Sequence, residues 1–102
     1  MVTGFKLVQS NITYKLYVDE SIRTCKVTAY REKVTILNGD SFNYNDFVIP
    51  EKFRPSAGTI VPCFRTAPEV VNYVFTNGRV GIYNSGTTKT DWNIGFMHEW
   101  QY

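Results

Sequence analysis

In the stretch EVVNYVFTNGRVGIYN, residues 69–84, two β-rich runs flank the pair Asn77-Gly78. Asn-Gly favours the type I′ turn, whose twist matches that of paired strands, so a β-hairpin is expected here. Val70, Val71, Tyr73, Val74 and Phe75 put apolar groups on both faces of its first strand. A strand that is apolar on both sides needs cover on both. One face is expected against the domain's own core and the other, carrying Val71, Tyr73 and Phe75, against a second subunit. This double demand constrains the fold more than any other local feature.

The rest of the chain repeats the β pattern. Residues 5–9 and 12–18 alternate apolar and polar side chains, with Tyr14, Leu16 and Val18 on one face and Lys15 and Tyr17 on the other. Period two is the signature of a half-buried strand. Residues 22–30 set Cys25, Val27 and Ala29 against Thr24, Lys26 and Thr28, and residues 33–37 follow after a polar turn at Arg31 and Glu32. Asn38-Gly39-Asp40 is a strong turn signal, because Asn and Gly tolerate positive φ. Residues 42–49, FNYNDFVI, read as a further strand. Residues 59–64 carry Pro62, which cannot donate to a ladder, so that strand is expected at a sheet edge or at a bulge. Ser85-Gly86 begins another turn, and residues 91–100 form the last strand, with Trp92, Ile94 and Phe96 on one side. No amphipathic helix of useful length and no internal repeat appears. Short strands spaced by turns predict an all-β fold, an antiparallel β-sandwich or barrel.

Size bounds this reading. The 102 residues fit one domain, 1–102. Aromatic residues make up 16% of them, more than a thin core can hold, so some rings must lie at the surface or an interface. The net charge of +2 comes from scattered lysines and arginines, so no footprint for nucleic acid stands out. No apolar run is long enough to cross a membrane, and the N-terminal residues lack the pattern of a signal peptide. Asn11-Ile12-Thr13 matches a glycosylation sequon, read as chance without a secretory signal. Cys25 and Cys63 have no second pair and no CxxC spacing, so no metal is expected. Two free strand-borne thiols are the leading reading, with a disulfide as the alternative.

The connector IPEKFRPSAG, residues 49–58, is rigid and charged. Pro50 ends the incoming strand and Pro55 pushes Arg54 to an extended conformation. Phe53 is the only large apolar residue between those prolines and is the natural anchor into the core. Turn chemistry alone explains every residue of this corner between two halves of a sandwich. Yet Ile49, Pro50, Glu51, Phe53, Arg54 and Pro55, followed by Asn77-Gly78-Arg79-Val80 with Ile82-Tyr83 and the final Trp92 strand, also carry a likeness. The order resembles the C-terminal head (receptor-binding) domains of tailed-bacteriophage tail fibre and baseplate proteins, mostly from phages of Gram-positive hosts. The resemblance spans roughly residues 23–96. It departs at Lys52, where that family often has glycine or another small residue. Those heads usually end a long shaft, and none precedes Val2, so an excised domain or a small tail protein is expected.

The resemblance implies a jelly-roll-like head that forms homotrimers, partners other tail or baseplate proteins, and attaches the virion to host cell-surface polysaccharide. It would be made in the host cytoplasm and sit at the phage tail tip. The residues themselves offer chemistry that suits glycan. Tyr30, Tyr44, Tyr73, Tyr83, Trp92, Trp100 and Tyr102 can stack on sugar rings, and Asn43, Asn45, Asp46 and Asn93 can bond hydroxyls. Tyr44, Asn45 and Asp46 in FNYND, with Trp92 and Asn93, are the foremost carbohydrate candidates. Catalysis is not expected. His98 is the single histidine and lies in a terminal strand, the carboxylates sit mainly at turns, and no phosphate loop or cofactor motif is present. Two other functions fit an aromatic β-surface. One is a structural tail component that binds no receptor; the other is a small β-barrel that binds single-stranded nucleic acid with steep salt dependence.

Overall fold

The alternating segments pair into two four-stranded antiparallel sheets, in a computed structural model that describes residues 4–62 and 68–102. The first sheet runs in the order β1 (Lys6–Ser10), β2 (Tyr14–Asp19), β3 (Thr24–Ile36), β8 (Lys89–Gln101). The second runs β4 (Gly39–Ser41), β7 (Val80–Asn84), β6 (Val70–Val74), β5 (Thr59–Pro62). Alternation in the sequence dictates which side each sheet buries. Tyr14, Leu16, Val18, Cys25, Val27, Ala29, Ile94 and Phe96 of the first sheet meet Val70, Val74, Val80 and Ile82 of the second in one cluster. Phe47, Ile49 and Phe53, from the segment between β4 and β5, fill the same cluster. Each such buried side chain contributes roughly 1.5–3 kcal/mol relative to leaving it in water. The expected sandwich is therefore present as two packed antiparallel sheets.

The face assignments for β2, β3 and β8 hold, and β5 is an edge strand as Pro62 requires. Cys25 is a buried free thiol; Cys63, like the end of the strand expected at 59–64, lies outside the described residues. Three expectations change. The polar turn expected at Arg31 and Glu32 is instead the middle of a strand of 13 residues. β3 and β8 continue together past the end of β2, and two register shifts absorb left-handed backbone: the one between Arg31 and Val34 takes in Lys33 (φ 51), and the one between Val34 and Ile36 takes in Asp91 (φ 53) on β8. The turn expected at Asn38-Gly39 is present, with Gly39 at a φ of 99 where the chain passes from β3 to β4.

The segment 42–49 is not a strand. Phe42 takes a φ of 55, Phe47 N donates to the Tyr44 carbonyl at 3.2 Å, and only Val48 makes a bridge, to Arg79. Its aromatics serve the core instead. Tyr14 meets Phe47 at 5.4 Å and Tyr44 edge-on at 6.0 Å between ring centroids, and Tyr14 Oη donates to the Phe42 carbonyl at 2.8 Å. Burying those rings outweighs extending a ladder, because the segment has no strand partner along most of its length.

The connector and the hairpin turn form one corner. The hairpin is present, but its turn is not type I′. Gly78 has positive φ (86) and Asn77 does not. Gly78 N donates to the Phe75 carbonyl at 3.0 Å and Phe75 N to the Arg79 carbonyl at 2.9 Å. This makes a three-residue loop closed by a left-handed glycine. Asn77 uses its side chain instead, accepting from Arg79 N at 3.0 Å. Ile49 N donates to the Gly78 carbonyl at 2.9 Å, and Arg54 Nε donates to the Ile49 carbonyl at 2.8 Å. Phe53 is buried as expected and meets Tyr102 edge-on at 5.1 Å. Its carbonyl accepts from Trp100 Nε1 at 2.7 Å, which ties the connector to the end of β8.

Candidate binding surfaces

Because Val70, Asn72 and Val74 face inward, β6 turns Val71 and Tyr73 outward. Cross-strand pairing sets Tyr73 beside Gly81 and Ile60, and Val71 beside Tyr83, which in turn faces Asp40. Gly81 decides the geometry: a Cβ there would stand 2.2 Å from Tyr73 Oη. The Tyr73 ring therefore lies flat across β7 and reaches β4. Its hydroxyl donates to Asp40 Oδ1 at 2.6 Å and accepts from Asn43 Nδ2 at 3.0 Å. Burial first, and then the hydrogen bond and charge of the Asp40 carboxylate, hold the Tyr73 hydroxyl well above the ordinary phenol range. It stays neutral and remains a donor at any ordinary pH. Arg79 Nη1 extends the network, donating to Asn43 Oδ1 at 3.3 Å and Asn45 Oδ1 at 3.1 Å.

Tyr73 stacks on Phe75 with ring centroids 4.3 Å apart. Above these rings runs an open groove of 330 Å³ bordered by Ile60, Val71, Tyr83 and Asp40. Tyr73 itself is satisfied within its own chain, at 5% exposure, but Ile60 at 66%, Tyr83 at 48% and Phe75 at 42% are not covered. Of the three expected interface residues, the chain thus tucks in Tyr73 and leaves Val71 half-buried and Phe75 open. Ile60 and Tyr83 join them. Alternation across the hairpin was the signal for Tyr83; Asp40 had no sequence signal, because its approach depends on the whole sheet order.

The residues expected to contact carbohydrate divide between elements. Tyr44 is half-buried against the core, and its hydroxyl shares a hydrogen bond with Thr13 Oγ1 at 3.0 Å. Asp46 Oδ1 accepts from Asn11 Nδ2 at 3.1 Å. Both therefore brace the turn between β1 and β2. Asn45 belongs to the Arg79 network on the other sheet. Trp92 and Asn93 sit on β8, where Trp92 packs on the core with the Lys89 ammonium 5.9 Å from its ring centroid. Asn93 Oδ1 accepts from Lys33 N at 3.1 Å, at the bulge of the β3–β8 arm.

Among the described residues, Cys25 and His98 share no hydrogen bond. Cys25 is pushed up to about 11 by burial, so it holds almost no thiolate at neutral pH. His98 stacks on Trp100 with centroids 5.8 Å apart, and burial lowers its pKa. Among the described residues no three His, Cys, Asp or Glu side chains converge to hold a metal ion. No protein-family model matches the chain, and no curated protein matches it. Function is therefore read from the geometry and from the likeness carried by the residues.

Proposed function

We propose that the chain is a non-enzymatic attachment module: the homotrimeric, jelly-roll-like head of a tailed-bacteriophage tail fibre or baseplate protein, which holds the virion to glycan on the host surface. The observation that carries this reading is the open apolar face of the second sheet, where Ile60, Phe75 and Tyr83 lie together beside a groove. A contiguous apolar patch of this kind is the mark of an interface, and permanent interfaces are more apolar than ordinary surface. The likeness adds to it. Ile49, Arg54, Gly78 and Arg79, which carry much of the resemblance, assemble into one hydrogen-bonded corner at the end of that same face.

The test has two arms. Light scattering at micromolar concentration is expected to give three times the chain mass, and pull-down on whole bacterial cells is expected to retain the protein. A monomer at that concentration would count against the trimeric head. A trimer that binds no cell and no glycan on an array would favour a structural tail component instead.

A further inference from the structure

We infer that the outer face of the first sheet carries the glycan subsite, a groove floored by Thr28 and walled by Tyr17 and Tyr30 that takes a neutral pyranose ring. The inference rests on the attachment reading and names where the sugar sits. Cys25, Val27 and Ala29 point into the core, so Lys26, Thr28 and Tyr30 must point out of it. Lys15 lies opposite Thr28, and Tyr17 opposite Lys26. The groove between them has a volume of 280 Å³ and is completed by Asn11, the exposed Ile12 and Thr13. Clefts for drug-sized ligands begin near 300 Å³, so the space suits one or two sugar rings. Thr28 is two residues from Tyr30, about 6.6 Å along the strand, which leaves a ring-sized floor with a short side chain beside an aromatic wall.

The walls are held in place. Tyr30 is 63% exposed, and its hydroxyl donates to the Glu32 carboxylate. The Lys26 ammonium lies 5.1 Å from the Tyr17 ring centroid and 4.4 Å from that of Phe5. The end of the groove is braced as well. Asn11 Oδ1 accepts from Thr13 N at 2.9 Å and Tyr14 N at 2.8 Å, while Thr13 Oγ1 accepts from Arg31 Nη1 at 3.2 Å. Tyr44 and Asp46, read from the sequence as sugar contacts, act here as positioning residues behind that turn. A site fixed before binding loses less entropy when it is filled.

The lining selects the occupant. Rings accept the C–H faces of a sugar, Lys15 and the Tyr30–Glu32 pair offer polar groups at the rim, and Thr28 offers its hydroxyl at the floor. Lys15 and Lys26 are balanced by Glu32 and by Glu99, which lies opposite Lys26, so the face favours an uncharged ligand over a polyanion. The groove on the second sheet lacks this mixture, and its one carboxylate is already bound by Tyr73.

The test is a titration of the isotope-labelled chain with N-acetylglucosamine, glucose and rhamnose, followed by amide shifts. The expected shifts cluster at Lys15, Tyr17, Thr28 and Tyr30 for at least one sugar. Tyr30→Ala is expected to weaken that binding roughly tenfold, the effect of losing about 1.4 kcal/mol. Thr28→Tyr, which fills the floor, is expected to abolish it while the spectrum stays dispersed. Shifts on the second sheet, or no shifts in a chain that still binds cells, would overturn this site and leave the attachment reading standing. Loss of both sugar and cell binding would sink both. Salt-sensitive binding of a single-stranded oligonucleotide at these residues would overturn the sugar in favour of nucleic acid.

Discussion

A glycine opposite a tyrosine sets the chemistry of the second sheet's outer face. Any side chain at Gly81 meets the Tyr73 ring at its hydroxyl end. Gly81→Ala is therefore expected to lift Tyr73 off Asp40 and to cost about 1–3 kcal/mol, as overpacking does. Urea unfolding of the single variant, of Tyr73→Ala and of the double variant checks it. The two costs should fail to add, because removing the ring removes the clash. Asp19 gives a prediction in pH. Its carboxylate accepts from Ser21 Oγ, from Ser21 N at 3.0 Å and from Gly4 N at 3.2 Å. The Ser21 side-chain hydrogen bond is the main cause that holds it below its ordinary value of 3.8. A depressed folded value means the stabilisation is complete above pH 3.8 and is lost as pH falls through the folded value. Asp19→Asn should accordingly flatten the loss of stability on acidification below pH 3.8, measured by urea midpoints across that range. An unchanged slope would show that Asp19 does not contribute.

The corner between connector and hairpin makes its own prediction at the scale of elements. At Gly78 a Cβ would stand 2.6 Å from the Ile49 carbonyl oxygen and 2.8 Å from Arg54 Nε, on a backbone of φ 86. Left-handed backbone alone costs a side chain about 1–2 kcal/mol, and the contacts add to it. Gly78→Ala should lower stability by about 2 kcal/mol or more and raise proteolysis near Arg54; a neutral result would mean the connector does not rest on the turn. The sequence made this hairpin legible because Asn-Gly sits between two β-rich runs, yet it could not show that Ile49 and Arg54 would pack on the turn and leave Asn77 out of left-handed space. β8 was legible for another reason, the alternation that sets Trp92, Ile94 and Phe96 on one side. Segment 42–49 was not: its aromatics alternate with Asn as a strand's would, but Phe47 and Ile49 face the core from a loop. Arg31, Glu32 and Lys33 read as a turn because they are polar, although the strand that carries them goes on to bury Val34 and Ile36 in the core. For the surfaces, parity alone placed Val71, Tyr73 and Phe75 outward, whereas the role of Tyr44 and Asp46 depended on a turn more than 30 residues away.

At the scale of the whole molecule the two sheets divide the labour. Their inner faces share one core, and their outer faces differ in character. The first sheet's is mixed, with Leu7 and Met97 exposed among tyrosines, lysines and glutamates. The second sheet's is apolar around Ile60, Phe75 and Tyr83, and β5 is its edge strand among the described residues. If copies shield that face, folding and association are one equilibrium, and the thermal midpoint must rise with protein concentration. Ile60→Lys puts a charge in the middle of the face without touching the core, so it should abolish the concentration dependence and lower the molar mass in solution to that of one chain. The variant's amide spectrum should stay dispersed, since Ile60 projects away from the sandwich. A wild-type midpoint that is flat with concentration, together with an Ile60→Lys variant of unchanged mass, would mean that the apolar face is covered by something other than another copy of this chain.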